Sequence, residues 1–146
     1  MKKLSITLVV ALVLGLAFVS CDNGLTGTTE TIPKVTEFFS TLGDNIGNPN
    51  ITPVTSFTSR QKVGFNVKVS SPYQDLAMVI LTIRRGSTLV DVFGAESNLK
   101  KGGTSTMRFS SSDWVFSPGS YTAEVYAEDV RGNKSDTLTR SFTVTQ

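Results

Sequence analysis

Between residues 61 and 70 the chain alternates, with Val63, Phe65, Val67 and Val69 set against Lys62, Asn66, Lys68 and Ser70, and Gly64 as the one small residue on the polar side. Period two with a single apolar row predicts a strand with one buried face. Residues 76–85 are apolar on both faces and bounded by Pro72 and Gly86. That run is too short to cross a bilayer, so it predicts a central strand. Residues 87–93 read as its hairpin partner, with Arg85-Gly86-Ser87 at the turn. Met107 and Phe109, after Gly102-Gly103, predict another half-buried strand. Ala123, Val125 and Ala127 alternate beyond Tyr121, and Leu138, Phe142 and Val144 mark a last strand after a turn at 129–133. These two predict a terminal hairpin. Residues 35–42 read as a first strand whose alternation is broken by Phe38-Phe39, and 43–53 are rich in turn residues. Helical periodicity is absent after the first segment, and Ser, Thr and Val are plentiful, so the domain is all-β.

The remaining apolar stretch opens the chain. Met1-Lys2-Lys3 is a positive start, Leu4 to Val19 is an almost unbroken apolar run, and Ser20 is the small residue a signal peptidase needs beside its cut. This is the layout of an export signal over residues 1–20. A spanning helix would need about 20 apolar residues, and this run is shorter. Residues 22–31 are small, polar and Gly-containing, the composition of a flexible linker whose ten residues reach about 17 Å on average. A domain over residues 33–146 follows the short terminal and linker segment at 21–32.

Composition removes several function classes. The chain has 14 Lys plus Arg and 12 Asp plus Glu, and Lys2 and Lys3 leave with the signal, so the mature part is neutral. Neutrality gives no electrostatic case for nucleic acid, which needs clustered cations. There is no histidine. That takes away the most frequent general base and the commonest zinc ligand, and with them the usual serine triad. Cys21 is the single cysteine, so it has no internal disulfide partner.

Phe18-Val19-Ser20-Cys21 resembles the lipobox of bacterial lipoproteins, with Phe18 and Ser20 as permissive variants of the usual residues. The resemblance implies that the Cys21 thiol receives a diacylglyceryl group and becomes the first mature residue. Acylation also gives a lone exported thiol a reason to exist. Two or more fatty chains hold a protein firmly where one binds marginally. The implied location is a bacterial cell membrane or outer membrane, lipid-anchored, with the domain outside the cytoplasm.

Pro118-Gly119-x-Tyr121, followed by Val125, Ala127, Asp129, Gly132-Asn133 and Ser135, resembles the closing strands of fibronectin type III and bacterial immunoglobulin-like domains. The implied fold is an immunoglobulin-like β-sandwich of about seven strands. Tyr121 stands where those families place the tyrosine corner, its hydroxyl bonded to a nearby backbone group. Ala123 falls where antibody domains have a disulfide cysteine, so the sheets are expected to hold by packing alone. Trp114, in the connection before Tyr121, is placed to cap the core from one end.

Candidate chemistry is sparse. Glu128, Asp129, Asn133 and Asp136 put several oxygens around one turn, yet turns favour such residues for backbone reasons, so they read as solvated turn residues and no metal or other cofactor is expected. Glu124 and Glu128 on one strand face would stand about 13 Å apart by strand rise, wider than glycosidase carboxylates. The expected function is a membrane-tethered, non-catalytic binding or structural module. An accessory subunit or stalk of a larger envelope assembly is the alternative, and an enzyme is a distant third. If Ala77, Val79, Leu81 and Ile83 face the core, the opposite row is Leu76, Met78, Ile80, Thr82 and Arg84. Met78, Ile80 and Tyr126 then form a candidate binding face for a protein or glycan partner, unless an N-terminal segment such as Phe38-Phe39 covers them.

Overall fold

The computed structural model describes residues 32–45, 48, 50–111 and 114–146. The expected export signal over 1–20, Cys21 and nearly all of the expected linker lie outside the described residues. The strands are β1 (Lys34–Leu42), β2 (Ser56–Thr58), β3 (Val63–Ser71), β4 (Leu76–Arg85), β5 (Thr88–Glu96), β6 (Gly103–Ser110), β7 (Gly119–Asp129) and β8 (Leu138–Thr145), with a 3-10 turn at Gly43–Asn45. A three-stranded sheet runs β1-β3-β6 and a five-stranded sheet runs β2-β8-β7-β4-β5. All pairings are antiparallel except β2 with β8. The first strands are split between the sheets: β1 pairs with β3, then the chain crosses so that β2 lies beside the last strand. This is the immunoglobulin-like sandwich that the terminal hairpin implied. It has eight strands among the described residues where about seven were expected, the extra one being the three-residue β2.

Alternation is what closes the core. Val63, Phe65, Val67 and Val69 of β3 are fully buried, and Val79, Leu81 and Ile83 of β4 meet them with Ala123, Val125 and Ala127 of β7. Each of these larger side chains is worth about 1.5–3 kcal/mol of burial, which is how the sheets hold without a disulfide. Phe65 lies at the centre, 5.9 Å from Phe38, 5.6 Å from Trp114 and 5.8 Å from Phe142 between ring centroids. Trp114 plugs one end: its ring stands edge-on 4.5 Å from Phe93, its carbonyl accepts from Val63 N–H, and its N–H donates to the Ser111 carbonyl. Tyr121 is buried, and its hydroxyl donates to the Ser117 carbonyl at 2.8 Å, so the tyrosine corner is present.

Three expectations need correction. Leu76 was placed on the outer row but is 1% exposed, because the β4–β7 register slips between Leu76 and Met78 and the extra residue returns Leu76 to the core side. Phe38-Phe39 does not cover the outer face of β4. It belongs to β1 in the opposite sheet, where Phe38 enters the core and Phe39 lies half-buried outside, so alternation persists through the pair. The polar row of β3 is also less exposed than its composition implied, since Gly64 and Asn66 are buried in the middle of the small sheet.

Candidate functional site

The outer face of the five-stranded sheet is set by two registers. Ile80 stands opposite Tyr126 on β7 and opposite Gly94 on β5, while Thr82 stands opposite Glu124 and Val92. Met78 stands opposite Glu128 and Glu96. Met78, Ile80 and Tyr126 are therefore neighbours on one face, and all three are half-buried. Val92 continues the apolar surface at 51% exposure. Gly94 leaves it open beside Ile80, with no heavy atom within 4 Å of where a Cβ would stand.

Charged residues frame this face. Arg84 pairs with Glu124 at 3.4 Å, and Lys134 pairs with Glu128 at 3.6 Å. The Lys134 ammonium also lies 5.1 Å from the Tyr126 ring centroid, an attractive arrangement of cation and ring face. Such partly exposed pairs are worth about 0–1 kcal/mol each, so they orient side chains more than they stabilise the fold. Glu124 and Glu128 are each committed to a cation, a poor arrangement for paired acid and base chemistry.

Asp129 departs from the solvated turn residue expected of it. It is buried at 2% exposure, and one carboxylate oxygen accepts from the Arg131 and Asn133 backbone N–H groups at 2.8 and 3.0 Å. The other accepts from the Asn133 side-chain amide at 2.9 Å. Asp129 thus organises the β7–β8 connection through the protein's own donors. Among the described residues no group of three or more His, Cys, Asp or Glu side chains is placed to hold a metal.

Sequence reasoning missed a shallow cleft at the end of the sandwich closed by Trp114. Arg85, Val90, Asp91, Trp114, Val115 and Tyr121 are among its lining residues, around a volume of about 400 Å³. Asp91 joins its parts: one carboxylate oxygen accepts from the Trp114 indole N–H at 2.8 Å and the other from the Val92 backbone N–H at 2.8 Å. Arg85 donates to the Pro118 carbonyl at 2.9 Å and lies over the Tyr121 ring. The signal for this cleft was present only as a lone Trp seven residues before the corner tyrosine.

Solved structures resemble the fold. The C-terminal domain of wzt aligns with a TM-score of 0.55 and 16% identity, covering 78% of this chain and 74% of that one. A Niemann-Pick type C2 protein from Japanese carpenter ant aligns with a TM-score of 0.50 and 11% identity, covering 78% and 93%. An immunoglobulin-like protein from Pseudomonas aeruginosa covers 80% of this chain and 99% of that one, with a TM-score of 0.47 and 14% identity. At these identities the likeness concerns fold alone. No protein-family model matches the chain, and no curated protein matches it in sequence.

Proposed function

We propose that the chain is a lipoprotein of the bacterial cell envelope, held at a membrane through lipid on Cys21, whose sandwich acts as a non-catalytic binding module. The observation that carries the binding reading is the face formed by Met78, Ile80 and Tyr126, apolar at its centre and framed by two ion pairs. These half-buried side chains lie beside exposed Val92, and a partly exposed apolar surface with aromatic and Met side chains has the composition of recognition surfaces. The lipobox-like run before Cys21 supports the tether, and the engagement of Glu124, Glu128 and Asp129 with protein donors supports a non-catalytic role.

The test is the full-length protein carrying Met78→Lys and Ile80→Lys together, compared with wild type for stability and for cross-linked or co-purified partners. A variant of unchanged stability that has lost a protein or glycan partner, or its self-association, supports a binding face. Strong destabilisation shows instead that the row is structural, and the site assignment falls. The tether is tested separately: Cys21→Ala should leave the membrane fraction after export, and retention there would place the anchor elsewhere.

A further inference from the structure

The end of the sandwich where the chain enters from its linker differs from the opposite end. It gathers Ile32–Lys34 at the start of β1 and the loops at 72–75, 97–102 and 130–137. These loops are laced into one platform. Val130 N–H donates to the Asp75 carbonyl at 3.0 Å, Gly102 N–H to the Ser71 carbonyl at 2.6 Å, and Lys101 N–H to the Asp75 carboxylate at 3.1 Å. Lys100 completes the joint at 2.8 Å from the same carboxylate. The Lys100 hydrogen bond, followed by that from Lys101 N–H, holds the Asp75 carboxyl below its ordinary pKa.

Two large apolar side chains project from this platform, Tyr73 at 49% and Val130 at 60% exposure. At this end stand Lys34, Lys100, Lys101 and Arg131, with Lys134 turned to Glu128 on the outer face; the loops contribute Asp75 and Asp136, and the strand end beside them Glu96. Lys34, Lys101 and Arg131 have no ion pair among the described residues. At the opposite end Lys62 is matched by Asp44 at 3.3 Å, Arg60 stands in the β2–β3 loop, and Arg85 at the β4–β5 turn is turned to the Pro118 carbonyl.

We infer that this platform docks on an anionic bilayer surface, Tyr73 and Val130 entering the headgroup region and Lys34, Lys101 and Arg131 facing lipid phosphates. The inference rests on the tether reading above and adds the orientation. A linker of ten residues reaches about 17 Å on average, whereas strands of nine or ten residues make the sandwich about 30 Å long. The end bearing Ile32 is therefore the one a short tether brings to the membrane. An amphipathic ring with a cationic fringe is the side-chain set that settles at an anionic headgroup layer. The outer face with Met78, Ile80 and Tyr126 then stands upright from the bilayer, and the Trp114 cleft points away from it.

The test uses the full-length protein with lipid on Cys21 verified by mass, reconstituted in phosphatidylcholine vesicles with and without phosphatidylglycerol. Single variants Val130→Cys, Tyr73→Cys and Ser87→Cys carry an environment-sensitive fluorophore, and acylation leaves Cys21 unlabelled. Labels at 130 and 73 should shift to the blue and be quenched by nitroxide headgroup lipids when phosphatidylglycerol is present. The label at 87 should do neither. Lys101→Glu with Arg131→Glu should return label 130 to its aqueous emission while label 87 stays unchanged. Equal water exposure at 130 and 87 in acylated, vesicle-bound protein overturns the docking and leaves the tether standing. Protection of label 130 in native envelopes but not in vesicles also overturns it, in favour of a protein partner. If mass shows no lipid and the protein stays out of vesicles, the tether reading fails and the docking with it.

Discussion

Asp91 and Trp114 are joined by a 2.8 Å hydrogen bond from the indole N–H to the carboxylate, across the gap between the free edge of the five-stranded sheet and the connection that closes the sandwich. The same carboxylate accepts the Val92 backbone N–H. Asp91 faces inward from an edge strand, and the β4–β5 register slips just before it, between Ile83 and Arg84. Inward charges and bulges are devices that keep edges from pairing with other chains.

Asp91→Ala should therefore have two effects. It leaves a buried indole donor without its partner, which costs about 1–3 kcal/mol in urea unfolding. It also frees the Val92 amide, and sedimentation should show more self-association than wild type. A variant of wild-type stability and wild-type sedimentation would show that Asp91 serves neither purpose.

Tyr121→Phe keeps the ring stacked on Phe142, at 5.2 Å and 12° between planes, and removes only the hydroxyl bond to Ser117. The expected loss is about 0.5–1.5 kcal/mol. Unfolding of the variant under conditions where wild type is folded would mean that the hydroxyl carries more than a corner bond.

Asp129→Ala removes the acceptor for three protein donors in the β7–β8 connection. Hydrogen bonds to a charged group are worth about 1.5–3 kcal/mol, and the midpoint of denaturation should fall by a corresponding amount. Because these donors already engage both carboxylate oxygens, millimolar calcium should leave the melting temperature of wild type unchanged. A calcium-dependent rise would reassign the turn as an ion site.

The strands with one apolar row were legible in the sequence, since a period of two states both the element and its buried side. So was Tyr121, whose neighbours Pro118 and Gly119 announce the corner. Leu76 was misplaced because a bulge shifts register without changing composition, and one slipped residue moves a side chain to the other face. Asp129 was misread for a related reason: the residues that make a turn solvated are the same ones that can fold back and bury a carboxylate. The Trp114 cleft was invisible because its walls come from separate stretches around residues 85–91 and 114–121, and only the fold brings them together.

The pairing of β2 with β8 joins the early and late parts of the chain. Ser59 N–H donates to the Thr145 carbonyl at 2.8 Å, and Phe57 meets Phe142 edge-on at 5.8 Å. A chain synthesised from its N-terminus cannot make these contacts until residues 142–145 have been delivered. Until then the five-stranded sheet lacks β8, Phe57 has no lid, and the core stays open on one side. Domains rich in distant contacts fold slowly because long loops must close first. On the export reading proposed above, the late arrival of β8 keeps the core open until nearly all of residues 33–146 have crossed the membrane.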